Sequence, residues 1–381
     1  MRVAIIDLKW SYGIECISAE IRSRLLRHCE VELISASESR LEHSLPIAKS
    51  RTSKDMILAF INPLVYWRVL KNLRAIDPRV IYFISPHILN VPLVWMSEWF
   101  TDALVISHIH DPDYAKSSMV AQVANMVARM QSRWSDRVYC WGHAIKATIA
   151  RKFHVRPDRI AVFRHGPGHV TPADEQSGAR SSRTPKQFSM IGTVHPRKGI
   201  AYYLEAARLF NERHGTDAAQ FLLAGSGDLS RYKAAIERLP NLVVVNRFLE
   251  DAEVNEFLAD SYASVLPYIE GVMQTSFIAI AYGNGCPVIV SNIGSLPEEV
   301  EDGKTGYVVE KASAEQIAAA MTGIYTDPDR ARMKENCVAA YREKFNWNVI
   351  GDQIYRDMEA SVAQLSKRGR ARHELREESG S

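Results

Sequence analysis

Cysteine is scarce and scattered in this chain. Cys16, Cys29, Cys140, Cys286 and Cys337 stand far apart, odd in number and without a CxxC pair. That spacing excludes a disulfide framework and a thiolate zinc site, and it points to a reducing, cytoplasmic compartment. Long apolar runs are missing too. The most membrane-like stretch, Ile88 to Ile106, carries Glu98 and Asp102, whereas a span needs about 20 mostly apolar residues. The start, Met1-Arg2-Val3-Ala4-Ile5-Ile6-Asp7, is too short an apolar run for a secretory signal and reads as a buried strand. Charge of one sign is not in excess either, with 47 Lys+Arg against 44 Asp+Glu and a net of +3. Such a balance does not suggest a nucleic-acid binder.

What remains is an ordinary globular composition, 46% hydrophobic and 24% charged, which excludes a disordered, collagen-like or coiled-coil chain. A length of 381 residues suggests two domains. The charge is unevenly spread. Residues 1–170 hold 23 Lys+Arg and 15 Asp+Glu, a net of +8, and the remainder holds 24 and 29, a net of −5. The basic front half is either an ordinary solvated face or the side that meets an anionic surface or substrate. Within it, Pro63-Leu64-Val65-Tyr66-Trp67-Arg68-Val69-Leu70-Lys71 mixes apolar and basic residues. A helix of this kind either lies on an anionic membrane or packs into the core.

Short β-branched runs alternate with helical patterns. Strands are expected at Val3–Asp7, Val31–Ser35, Val80–Ile84, Leu104–His108, Arg137–Cys140 and Ile160–Phe163, with helices such as Ile14–His28 and Lys116–Trp134 between them. This alternation indicates a parallel sheet covered on both faces. Residues 171–186, rich in turn formers and without apolar period, read as a linker between a first domain, 1–170, and a second, 187–345. The alternation restarts with strands at Phe188–Gly192, Phe221–Ala224, Leu242–Val245, Ser264–Leu266 and Val288–Val290. Helices are expected at Ile200–Asn211, Asp251–Ala259, Thr275–Tyr282 and Ser313–Tyr325, with Ser313 as N-cap. A final helix covers Asn348–Leu365, and the charged tail 366–381 reads as disordered.

Doubly wound domains bind ligands beyond the carboxyl ends of their strands, so the loops there carry the candidates. Gly13 follows the first strand and lets a phosphate or sugar approach the helix start, or is simply a turn residue. In His108-Ile109-His110-Asp111-Pro112-Asp113, His110 is placed to touch a substrate, with Asp111 fixing its tautomer, or to cap a helix. Its spacing fits no zinc pattern, and no metal site is expected. Gly192-Thr193-Val194-His195-Pro196-Arg197-Lys198-Gly199 joins a basic pair to glycines at a helix start, which suits a diphosphate and lacks the Walker spacing. Leu223-Ala224-Gly225-Ser226-Gly227-Asp228 is a second glycine loop.

The ordered run of Pro196-Arg197-Lys198-Gly199, LAGSGD, Pro267-Tyr268-Ile269-Glu270, AYGNGCPVIVS, GSLPE and Asp302-Gly303-Lys304-Thr305-Gly306 resembles the retaining family-4 glycosyltransferases. The likeness covers nearly all of 188–310. In the front half it is looser, through Gly13, His110-Asp111 and His165-Gly166. The resemblance implies an α/β chain of the GT-B fold, two Rossmann-like doubly wound domains facing across a cleft. It also implies that the last helix, 346–365, crosses back to the first domain. The implied reaction moves a sugar from a nucleotide diphosphate donor, of the UDP or GDP type, to a glycan or polyprenyl-diphosphate-linked acceptor, with retention and no metal or other cofactor. Bacterial surface polysaccharide synthesis is the implied setting.

The chain departs from that pattern in places. The family's Arg and Lys fall at Thr193 and Lys198, and Arg197 stands in for the former. Its two glutamates fall at Val272 and Ile280, and the nearest acid is Glu270. Tyr268, Glu270, Gln274, Thr275 and Ser276 match a branch with Tyr-x-Glu followed by Gln-Ser. The expected catalytic residues are therefore His110 and Glu270. The expected donor-binding residues are Gly13, Arg197, Lys198, Gly225, Gln274, Thr275 and Ser276. A catalytically inactive scaffold of the same fold and a nucleotide-sugar epimerase are the alternatives.

Overall fold

The structure is a computed structural model and describes residues 1–8, 12–35, 60–112, 119–172, 186–270 and 273–378. Most of the expected linker, the loop residues Lys9–Ser11, Asp113, the first turn expected at 116–118 and Val272 lie outside the described residues. The chain forms two compact units. One comprises Met1–Phe163 with Trp347–Ser381, and the other Arg164–Asn346.

The first unit runs β1 (Arg2–Asp7), α1 (Tyr12–Leu25), β2 (Glu30–Ser35), α2 (Pro63–Ile76), β3 (Val80–Phe83), α3 (Asn90–Phe100), β4 (Leu104–His108), α4 (Met119–Trp134), β5 (Arg137–Cys140), α5 (His143–Phe153) and β6 (Ile160–Val162). Its strands pair in parallel in the order β2-β1-β3-β4-β5-β6. The strands are apolar because helices cover both faces. On one face Ala4, Ile6, Ile81 and Phe83 pack with Val65, Val69 and Leu73 of α2 and Leu93 and Val94 of α3. Helix α2 is set by local chemistry. Asn62 caps it by accepting from the Leu64 amide at 3.0 Å, Pro63 opens it, and Asp77 ends it in the left-handed region at φ 47°. The stretch Ile88–Ile106 resolves into α3 and part of β4. Among the described residues no helix is long and apolar enough to cross a membrane.

The second unit runs β7 (Gln187–Ile191), α6 (Ile200–His214), β8 (Gln220–Ala224), α7 (Lys233–Glu237), β9 (Leu242–Val245), α8 (Asp251–Ala259), β10 (Ser261–Leu266), α9 (Phe277–Gly283), β11 (Val288–Ser291), β12 (Gly306–Val309), α10 (Ala314–Thr326) and α11 (Arg330–Ala340). The strand order is β12-β11-β10-β7-β8-β9, again all parallel. Two apolar layers flank this sheet. Phe188, Tyr203, Phe210, Phe221, Ile317 and Met321 fill one, and Ile191, Leu222, Leu258, Ile280, Val290 and Tyr341 the other. Ser313 caps α10 by accepting from the Gln316 amide.

The chain then returns to the first unit as α12 (Trp347–Glu378). Trp347, Ile350, Ile354 and Met358, spaced three or four apart, are buried there. Arg27 donates to Asn348 at 2.7 Å, Asp352 pairs with His28 at 2.8 Å, and Asp357 is bonded by Arg137.

Four expectations need correction. The first domain was set at 1–170, but Arg164–Pro172 belong to the second unit. Val170 is buried in the second unit's core, and Asn255 donates to the Thr171 carbonyl at 2.9 Å. Strand β12 was missed because it opens on Gly306 of the turn Asp302–Gly306, at φ 154°, which leaves only Tyr307, Val308 and Val309 as a strand-like run. Helix α9 begins at Phe277 rather than Thr275 and spans seven residues. The tail expected to be disordered is helical to Glu378, in keeping with its Ala, Arg, Lys, Glu and Leu content and its lack of proline.

Candidate functional site

In the second sheet, β7 lies between β10 and β8, and the strand order turns back between β7 and β10. The loops beyond these two strands therefore flank the switch point where doubly wound sheets bind ligands. Three loops are laced together there. The Gly192 amide donates to the Ala224 carbonyl at 2.8 Å, Val194 to Ser226 at 2.9 Å, and Ile269 to Arg197 at 2.9 Å. Two glycines permit this. A Cβ on Gly199 (φ 74°) would lie 1.8 Å from the Pro267 carbonyl oxygen, and one on Gly225 (φ 138°) 2.1 Å from the Gly192 carbonyl oxygen. Backbone thus packs on backbone, and neither position admits a side chain.

His195 shapes the basic loop. Its ring Nδ1 accepts from the Arg197 amide at 3.2 Å and opens a single 3-10 turn, Pro196–Lys198. Arg197 is exposed, while Lys198 is largely desolvated. The Lys198 ammonium lies 5.8 Å from the centre of the Tyr268 ring and in the space that a Cβ on Gly192 would fill. Among the described residues it has no ion pair and no side-chain acceptor. Burial, and then the neighbouring Arg197 charge, push its pKa below the ordinary lysine value. A desolvated cation beside another cation favours a neighbouring negative charge.

The loop after β10 supplies the other wall. Tyr268 is buried, its hydroxyl bonds Thr275, and burial pushes it up to about 12. Glu270 is exposed at the outer end of this loop. The Gln274 side-chain amide is buried with no hydrogen-bond partner among the described residues. Thr275 Oγ1 accepts from the Phe277 amide at 3.3 Å, and Ser276 is the N-cap of α9 without a side-chain cap bond. Gln274, Thr275 and Ser276 therefore form the approach to α9 and not its first turn. Ile280 is buried in the apolar layer. Thr193 is exposed.

The remaining candidates belong to the first unit. Gly13 lies in the first turn of α1, exposed, and a Cβ there would meet nothing within 4 Å. His110 follows β4. Its Nδ1 accepts from the Trp141 indole at 2.8 Å, and its Nε2 donates to the Ile84 carbonyl at 2.7 Å. Those two bonds, rather than Asp111, set its tautomer, and they occupy both ring nitrogens. His110 also stacks on buried His108 at 4.7 Å, and His108 bonds the Tyr82 hydroxyl at 2.6 Å. His165 falls in the second unit, donates to the Gly166 carbonyl at 2.7 Å, and is held at a pKa of about 4 by burial.

Sequence reasoning missed one ionisable pair, Arg164 with Glu299. The Glu299 carboxylate is 3% exposed, lies 3.0 Å from Arg164, and is pushed up to about 7 by burial, against the pull of Arg164. Glu299 directly follows the GSLPE motif, and burial distinguishes it from Glu298. Among the described residues no three His, Cys, Asp or Glu side chains are grouped to hold a metal ion. None of the five cysteines forms a disulfide.

Residues 185–327 match the model of the family Glycosyl transferases group 1. HepE of Anabaena, solved in complex with UDP, superposes with a TM-score of 0.73 at 16% identity, over 94% of this chain and all of that one. The chain has the GT-B fold. Sucrose-phosphate synthase from Thermosynechococcus elongatus gives a TM-score of 0.70 at 17% identity, over 95% of this chain and all of that one. In sequence, this GT-B chain is 26% identical to an alpha-maltose-1-phosphate synthase of Mycolicibacterium smegmatis, over 63% of its own length and 67% of the relative's. It is 28% identical to a D-inositol 3-phosphate glycosyltransferase of Rhodococcus jostii, over 58% of its own length and 51% of the relative's. The chain thus spans between half and two thirds of the length of these relatives. The family match and the relatives' names support a glycosyltransferase.

Proposed function

We propose that this protein transfers a sugar from a nucleotide diphosphate sugar to a glycan or polyprenyl-diphosphate-linked acceptor, in the synthesis of a bacterial surface polysaccharide. The single observation that carries the reading is Lys198, a desolvated ammonium without a counter-ion among the described residues, at the switch point of the second sheet. In the reaction the bond between the anomeric carbon and the diphosphate oxygen breaks, an acceptor hydroxyl oxygen bonds that carbon with retention, and the hydroxyl proton passes to the departing diphosphate. The leaving diphosphate gathers negative charge. Lys198 and Arg197 neutralise it without a metal ion, and the Gln274 amide, without a hydrogen-bond partner among the described residues, donates to the donor. Gly225 and Gly199 let the loop backbones approach closely. Thr275 and Ser276 complete the wall. A UDP- or GDP-type donor fits this arrangement, and the likeness to HepE, solved with UDP, favours uridine.

Glu270 orients the donor sugar by accepting from its hydroxyls. Gly13 leaves the first turn of α1 open to substrate. His110 holds the loop after β4 in place through Trp141 and the Ile84 carbonyl, and does not meet the sugar through a ring nitrogen. The test is transfer from UDP- and GDP-sugars to a polyprenyl-diphosphate-linked acceptor. Glu270→Gln keeps the size of the side chain and removes its charge. It should lower transfer about a hundredfold while nucleotide diphosphate affinity stays near wild type. Full transfer by that variant would remove Glu270 from the site. Isomerised donor without new glycan would mean an epimerase, and diphosphate binding without turnover a scaffold.

A further inference from the structure

Helix α2 presents apolar side chains on two faces, and only one of them is used by the core. Val65, Val69 and Leu73 are buried against the first sheet. Ile61, just before the helix, and Leu64 and Trp67 on its other face are 67%, 58% and 57% exposed. Three cations are interleaved with them. Lys71 lies 5.3 Å from the Trp67 ring, and Arg74 lies 5.3 Å from the exposed Phe100 ring at the end of α3. Arg68, Lys71 and Arg74 make no ion pair among the described residues, and Pro63–Ile76 contains no acid. The face is therefore apolar, aromatic and uniformly basic.

We infer that this face of α2, with the end of α3, docks on the anionic surface of a lipid bilayer. The charge argues for lipid over protein. Protein interfaces are depleted of lysine at their centres, whereas helices lying in a membrane interface pair tryptophan and leucine with lysine and arginine. Leu64 and Trp67 enter the boundary of the acyl chains, while the long basic stems reach up to the headgroups. The helix lies on the membrane and does not span it, consistent with its 14 residues. This inference stands apart from the transfer reaction, since it needs no substrate.

The experiment is flotation of the intact protein with vesicles of phosphatidylcholine, alone or mixed with phosphatidylglycerol. The protein should float with the mixed vesicles only and be released by high salt. Leu64→Ser with Trp67→Ser should cut the bound fraction about tenfold without lowering the melting temperature, because both side chains are exposed. Arg68→Glu with Lys71→Glu should do the same and serves as a second, independent variant. Equal recovery with neutral and anionic vesicles, or wild-type flotation by both variants, overturns the inference. So does a lipid-free dimer that Leu64→Ser with Trp67→Ser converts to monomer in sedimentation velocity, because the face would then belong to a second copy.

Discussion

Lys198 is unusual for a lysine because it is desolvated without an acid beside it among the described residues. A charge-assisted phosphate contact contributes about 1.5–3 kcal/mol, so Lys198→Ala should weaken nucleoside diphosphate binding roughly ten- to a hundredfold and spare the bare nucleoside. Its lowered pKa also sets a pH dependence. Diphosphate affinity should fall as pH rises through the depressed lysine value, earlier than an ordinary lysine allows, and Lys198→Ala should abolish that limb in a titration series. His110 carries a different expectation. Alanine there strands the buried Trp141 indole and the Ile84 carbonyl, which costs about 1–3 kcal/mol in urea unfolding. The basic loop was legible in sequence as the connection between β7 and α6, because glycines and a Lys/Arg pair follow an apolar strand there. The bonds that hold the His110 ring were not, because its partner Trp141 is 31 positions away and belongs to another loop.

At the level of elements, the strands and most helices could be read from apolar period alone. Buried parallel strands are near-continuous Val, Ile and Leu runs, and the helices between them alternate with a longer period. β12 escaped because it opens on the turn glycine Gly306, and seven-residue α9 shifted because it spans barely two turns. What sequence could not show is the lacing of the three loops at the second sheet's switch point. Two glycine substitutions separate that packing from mere flexibility. Gly225→Ala drives a Cβ to 2.1 Å from the Gly192 carbonyl in a conformation that strains any side chain. It should cost about 1–3 kcal/mol in stability and lose diphosphate binding, as measured by urea unfolding and calorimetry. Gly13→Ala meets open space within a helix and should raise stability by up to about 1 kcal/mol. A fall in transfer despite that gain would identify the first turn of α1 as a substrate contact.

For the whole molecule, the notable feature is that the chain leaves the first unit at Phe163 and returns to it at Trp347. The returning helix was expected from the sequence, and its return to the first unit was implied by the family resemblance. The exit point was not, because Arg164–Pro172 have no period and are recruited by the second core. Arg164 stands at that point, and Glu299 is its buried partner. With a folded pKa of about 7 against an ordinary 4.5, Glu299 prefers to be protonated in the folded state. Stability from this group is full below about pH 4.5 and is lost as pH rises through 7, on the order of 3 kcal/mol. Glu299→Gln should match wild type near the acid end of that window and flatten the decline above it, as followed by urea unfolding against pH.

The central claim is that the carboxyl edge of the second sheet is a nucleoside diphosphate site built around Lys198. Isothermal titration of the intact protein with UDP and GDP, and with uridine and guanosine, tests it most directly. One diphosphate should bind, its nucleoside should bind more weakly, and Lys198→Ala should lower the diphosphate affinity to about that of the nucleoside. Failure of both diphosphates to bind, or undiminished diphosphate binding by Lys198→Ala, would contradict it.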